Sequence, residues 1–295
     1  MKFFLVGFLL TCSLALGQIR GPVSALVFDH ASHSVRQILG VPGAAYYSGA
    51  LAERLDLAAV SPDGRHVLAT RDNQVIGIQV TDNGLIEQLL GEGTAVAMAW
   101  SRSSDTAVWA TSDELYRWSI ADGVTRLGAA SNVKALALDA TGLTAYAARS
   151  GVVEAISADS PARLLASIGE PTALAIYDAS LYVTDAAEKR VLLIDTTAGG
   201  AQLFPTEASE PSAVAVSADG QILLVADAAT KTVSAYRAAS QERLSRIDLG
   251  FAPSELERIG DGLFTLKRRN AGEALEIVTM RQDLAAYFVP APEVE

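Results

Sequence analysis

Residues 211–250 read PSAVAVSADGQILLVADAATKTVSAYRAASQERLSRIDLG, and four short β-segments can be marked off within them. At 212–216 small and large apolar side chains alternate, the period-two pattern of a strand. Residues 217–220 form a turn, because Asp219 can bond local backbone and Gly220 accepts positive φ. Residues 221–226 are almost continuously apolar, as in a strand buried on both faces. A loop at 227–231 leads to a third strand at 232–236. The fourth, at 243–249, is polar enough for a solvent-facing rim.

Working outward, the same grammar recurs. The residues closing the first strand of each copy are Ser61, Ser101, Asp139, Tyr177, Ser217 and Ile259, at steps of 40, 38, 38, 40 and 42 residues. Ala59, Ala99, Ala137, Ala175 and Ala215 share one register in those strands, where only small side chains fit if the strands converge on an axis. Four strands per period of about 40 residues, with almost no helix-period stretch, predict an all-β chain folded as a β-propeller. Six copies are complete. Residues 23–29 and 34–39 look like the third and fourth strands of a further unit, so seven blades are expected, the last shared by N- and C-terminal strands. The alternative is six blades with an N-terminal hairpin added outside. The first turns at 61–64, 139–142 and 259–262 end in Gly; the Ser101 and Tyr177 copies lack it and are expected to turn differently.

Residues 1–17 stand apart. Lys2 provides a positive n-region, 3–10 an apolar h-region, and Ala15-Leu16-Gly17 a small-residue cleavage site before Gln18, which reads as a secretory signal peptide too short to span a bilayer. Cys12, the only cysteine, raises lipid anchoring as a rival, but Thr11 fits a lipobox poorly. The expectation is a single propeller domain over 18–295, secreted or periplasmic, with no membrane span. The net charge of −11, with 34 acidic residues and no Lys/Arg-rich stripe, argues against a nucleic-acid partner.

Departures from the repeat mark candidate sites. Glu255 and Glu257 take the register held by Ala213 and Ala215 in the preceding copy. Buried and unpaired they would cost several kcal/mol each, so either a wet flank or nearby arginines accommodate them, or they face the central channel and bind a cation or basic group. Tyr46 and Tyr47 fall in the long connection at 41–55, and adjacent aromatics suit an interface. Asp185, Asp227, Glu170 and Glu210 belong to loops on one face and could gather around Ca²⁺, although no Asp-x-Asp-x-Asp spacing is present. His30, His33 and His66 are the only histidines; with no Gly-x-Ser-x-Gly elbow and no phosphate loop, no catalytic set and no cofactor is expected. Trp100, Trp109 and Trp118 fall on strands of one unit and are expected in packing.

The stretch Leu181-Tyr-Val-Thr-Asp185, followed by Val191-Leu-Leu-Ile-Asp195-Thr196, resembles the YVTN family β-propeller repeat of YncE-like proteins. Residues 224–227 with 232–236 are a second match; Asp185 and Asp227 stand where the family pattern has Asn. The turn at 61–64 is similar, less specifically, to TolB-like and WD40-like units. The resemblance implies a secreted or surface-associated seven-bladed propeller but no particular reaction, since propellers serve as scaffolds, lactonases and redox-enzyme subunits. The expected role is a non-catalytic scaffold that binds a protein or small-molecule ligand through one loop face. The alternative is a lactonase-type hydrolase with Ca²⁺ at the channel mouth.

Overall fold

A computed structural model describes residues 23–41, 43–260, 262–268, 275–280 and 284–290. Residues 1–17, with Cys12, and residues 269–274 lie outside the described residues. The described strands form seven antiparallel sheets, and each sheet runs in chain order from an inner to an outer strand. The inner strands are Val23–Asp29, Leu57–Val60, Ala97–Trp100, Ala135–Leu138, Pro171–Tyr177, Pro211–Val216 and Pro253–Gly260. Each touches the next and the last touches the first, so the chain is a closed seven-bladed β-propeller, with blades numbered 1–7 in chain order.

The periodicity of the sequence maps directly onto burial. Second strands such as Thr106–Ala110 and Ser180–Asp185 are buried almost throughout, while fourth strands such as Gly84–Glu92 and Arg243–Asp248 are largely exposed. Seven apolar clusters among the described residues sit at the seven interfaces between neighbouring blades. At the interface of blades 2 and 3, Leu68 and Val75 meet Trp109 and Trp118, and the ring of Trp109 stacks on Tyr116 at 5.2 Å. All three tryptophans take part in packing between blades, Trp109 and Trp118 within this cluster and Trp100 against it. Trp100 is half-buried and donates Nε1–H to the Ala59 carbonyl of blade 2 at 2.9 Å.

Seven blades are present, but the last is not shared. Blade 1 is a three-stranded sheet of Val23–Asp29, Ser34–Leu39 and Tyr46–Ala52, with Val23–Asp29 innermost rather than third. Blade 7 is complete with four strands of its own, ending in Ala285–Val289. The ring closes by packing instead of strand exchange: Ala25, Val27 and Ile38 of blade 1 lie against Ile259, Leu263, Ile277 and Val289 of blade 7. An apolar face on each terminal blade removes the need to borrow a strand, because burial of that area drives the two together. The segment at 41–55 is not one long loop, since Tyr46–Ala52 pairs with Ser34–Leu39 as the outermost strand of blade 1.

The Ser101 copy turns in the same way as its Gly-containing counterparts. Ser104 N–H donates to the Ser101 carbonyl at 3.1 Å, as Gly64 does to Ser61 and Gly220 to Ser217. Ser104 takes φ +65°, beside +69° at Gly64 and +72° at Gly220. The left-handed backbone is unfavourable for a residue with Cβ, and a bond from the Asp63 N–H to Ser104 Oγ at 3.0 Å offsets it while tying blade 2 to blade 3. The Tyr177 copy does differ: Tyr177 pairs directly with Ser180 around a tight turn, with Asp178 at φ +50°.

Candidate functional site

Convergence of the inner strands leaves an axial cavity of about 420 Å³. Six inner strands supply its wall, mostly through small residues such as Ala59, Ala99, Ala137, Ala175 and Ala215, and blade 1 contributes His30. The alanine register seen in the sequence thus marks the wall of the cavity. Antiparallel connectivity puts the blade-to-blade and second-to-third loops on one face of the disc. The first-to-second and third-to-fourth turns lie on the other.

Blade 7 breaks the apolar wall. Glu255 and Glu257 both line the cavity, together with Arg258 of the same strand. Glu255 is exposed and Glu257 half-buried. A wet flank beside an incomplete blade is not the reason, because blade 1 fills that flank. Near the loop-side mouth, Lys134 Nζ meets Glu170 Oε1 at 2.8 Å. At the turn-side mouth, the Arg102 guanidinium of blade 3 lies 4.3 Å from the centre of the Tyr177 ring of blade 5 and 3.6 Å from Asp178. Gly220 of blade 6 lies against the same ring, so closely that a Cβ there would overlap it. This bridge narrows one end of the cavity.

Asp185 and Asp227 serve the loops rather than the cavity. Asp185, with a relative exposure of 0%, accepts the Glu170 N–H at 2.9 Å and faces Arg190 Nε at 3.3 Å. Asp227 accepts the N–H groups of Ser209, Glu210 and Ala229 and the Thr230 hydroxyl, at 2.8–3.0 Å. Burial pushes the Asp227 carboxyl up, but these hydrogen bonds outweigh it and hold the group below the usual carboxylate range. Each aspartate clasps the connection entering its blade, with a backbone bond from the following alanine (Ala186 to Glu170, Ala228 to Glu210) beside it. An Asn in the same place could offer only one acceptor oxygen.

Tyr46 and Tyr47 lie on the rim. Tyr46 is 48% exposed, while Tyr47 packs against the cluster that closes the ring. Burial, and then the Asp29 carboxylate, hold the Tyr47 phenol well above its usual value. Of the six sequence candidates, the fold brings together only Glu255 and Glu257. Sequence reasoning passed over Arg102, Tyr177 and Lys134. Arg102 carried a usable signal, since the equivalent turn position is Pro62, Ala140 or Ala218 in other copies. Among the described residues no group of three or more His, Cys, Asp or Glu is placed to hold a metal ion, and no helix is long and apolar enough to cross a membrane.

No protein-family model matches the chain, and no curated protein matches it by sequence. Solved structures do match. A protein of unknown function from Desulfotomaculum acetoxidans DSM 771 superposes with a TM-score of 0.65 at 11% identity, over 91% of this chain and 99% of that one. The β-propeller domain of Cps50 (Swd1) from Myceliophteria thermophila gives 0.62 at 16% identity, over 82% and 88% of the two chains. A chain of the nidogen/laminin complex gives 0.56 at 14% identity, over 75% and 92%. At these identities the likeness is one of fold.

Proposed function

We propose that this chain is an exported, non-catalytic propeller of the YVTN type. It binds a protein or small-molecule ligand that presents a cationic group to the axial cavity. The observation that carries the reading is the pair Glu255 and Glu257 on a wall where the same register in other blades holds alanine. Two carboxylates on one wall of a cleft concentrate an attractive field for a cation. Glu255 follows closely on Pro253, at the loop-side end of its strand, and the Arg102–Tyr177 bridge crowds the opposite mouth, so entry is from the loop face. The nidogen/laminin match is a chain from a protein complex, which suits a binding role. The leader-like composition of residues 1–17 supports export.

The lactonase-type alternative loses its ligands. Asp185, Asp227 and Glu170 are each engaged by backbone N–H groups, hydroxyls or Lys134, so Ca²⁺ would have to displace several charge-assisted bonds. The test is calorimetric titration of wild type and of the Glu255→Gln/Glu257→Gln variant with lysine- and arginine-containing peptides and with polyamines, alongside a lactone panel with Ca²⁺. Binding to wild type that weakens at least tenfold in the variant is expected. Identical titrations, or Ca²⁺-dependent lactone turnover, would overturn the reading. Cell fractionation with and without residues 1–17 tests export.

A further inference from the structure

On the turn face, away from the axis, the first turns of blades 2, 3 and 4 and the last turn of blade 3 enclose a second cavity of about 530 Å³. It differs in kind from the axial one. Arg117 of blade 3 and His66 of blade 2 line it. Arg117 forms no ion pair among the described residues. An arginine keeps its charge in proteins, so the cavity offers a fixed cation to an anionic group.

Around them the wall carries three carboxylates, Asp63, Asp105 and Asp122. Each accepts serine hydroxyls (from Ser61, from Ser101 and Ser103, and from Ser119), and none forms an ion pair among the described residues. Burial holds the His66 imidazole below its usual value, which leaves it neutral near pH 7. The Asp105 carboxyl, though burial raises it, is kept low by the hydrogen bonds of Ser103, Ser101 and Thr106. One fixed positive charge therefore faces three negative ones across the same space. Two apolar side chains, Ile120 at 40% and Leu143 at 56% exposure, form the lip.

A simple anion would meet Arg117 but suffer the three aspartates, and a simple cation would leave the Arg117 charge without a counter-ion. A ligand with both charges on neighbouring atoms satisfies the whole set. We propose that this cavity binds a small zwitterion of the amino-acid or dipeptide class. Its carboxylate meets Arg117, its ammonium meets the aspartates, and an apolar side chain lies under Ile120 and Leu143. The frame is already in place. The Asp63 N–H bonds Ser104 Oγ across blades 2 and 3, Ser103 Oγ reaches the Ala140 carbonyl of blade 4, and Gly142 packs directly on Thr106. A rigid site of this kind loses little entropy on binding.

The experiment is calorimetric titration of the folded protein with leucine and glycyl-leucine, and with two half-ligands, 4-methylpentanoate and 3-methylbutylamine. At least one zwitterion is expected to bind ten times or more tighter than either half. Arg117→Gln and Asp122→Asn should each weaken that binding at least tenfold, with circular dichroism confirming the fold. Leu143→Ser, at an exposed position that perturbs folding least, should weaken it severalfold. Glu255→Gln/Glu257→Gln should leave it unchanged, which separates this site from the axial one. Preference for the amine or for the carboxylate alone, no binding by any probe, or an Arg117→Gln variant with wild-type affinity would each overturn the proposal.

Discussion

Replacing Gly77 by alanine sets backbone preference against packing, with opposite expected signs. Gly77 is buried in the third strand of blade 2, Gln74–Thr81, paired with Leu68 on one side and Gln88 on the other. Glycine inside a strand is less stable than alanine by roughly 0.5–1 kcal/mol, so propensity alone expects Gly77→Ala to stabilise. The structure says otherwise. A Cβ at Gly77 would lie 2.5 Å from Cη2 and 2.8 Å from Cζ2 of Trp118, where ordinary contact is 3.4–4 Å. The indole would have to retreat by about 1 Å, and it cannot do so freely. Trp118 is buried, with Trp100 edge-on at 5.6 Å and His66 at 6.5 Å. Overpacking of this kind costs about 1–3 kcal/mol, so the net expectation is a loss of about 1–2 kcal/mol once the gain in propensity is subtracted. That corresponds to a fall in melting temperature of about 2–8 °C for a domain of this size. Thermal and urea unfolding followed by far-UV circular dichroism would measure it. In a Trp118→Phe background, where the smaller ring vacates the space, the same change should be neutral or stabilising. A Gly77→Ala protein as stable as wild type would refute the reasoning that glycine is kept there to seat the neighbouring indole.

Other expectations follow from the hydrogen-bonded aspartate, the buried imidazole and the left-handed serine. Asp227→Ala should lose about 2–4 kcal/mol, because the Ser209 and Glu210 N–H groups are left unmade, at about 1–3 kcal/mol each. The folded Asp227 pKa is depressed, so its contribution is complete above about pH 4 and disappears as the pH falls through the folded value. Unfolding midpoints of wild type and Asp227→Asn should accordingly converge in acid, and parallel curves would rule this out. For His66 the folded pKa is also depressed, first by burial, and the unfolded state takes up its proton first. Stability should therefore fall as the pH drops below about 6.5, with a shallower slope in His66→Gln. At Ser104, φ +65° makes alanine worse than glycine, since both lose the Asp63 bond but only alanine keeps the strained Cβ. The expected order is wild type, then Ser104→Gly, then Ser104→Ala by about 1 kcal/mol. The reverse order of the two variants would show that the turn relaxes.

Blade content was readable because each strand repeats a local pattern. The alternation at 212–216, the apolar run at 221–226 and the turn before Gly220 each follow from their own residues, and all appear where expected. Blade 1 was misread because Tyr46–Ala52 has no clean alternation, and its place depends on pairing with Ser34–Leu39. The Ser101 turn was misread because glycine is the usual local answer to positive φ, whereas Ser104 relies on a partner in another blade. Asp185 and Asp227 could be recognised as loop caps from the sequence. That each also accepts backbone N–H groups of the incoming connection depends on chain segments 15–18 residues away.

The sequence by itself determined the repeat, the strand order within each blade, the alanine register along the axis and the break in it at Glu255 and Glu257. These are properties of period and side-chain size, which act over a few residues. Only the tertiary structure decided how the ring closes, that the two glutamates face the axial cavity, and that Arg102 meets Tyr177 two blades away. It alone gathers Arg117, His66 and three aspartates from neighbouring blades around one space. Such groups share no local pattern, because what brings them together is the burial of apolar faces between sheets, and that force is indifferent to the polar residues it places side by side.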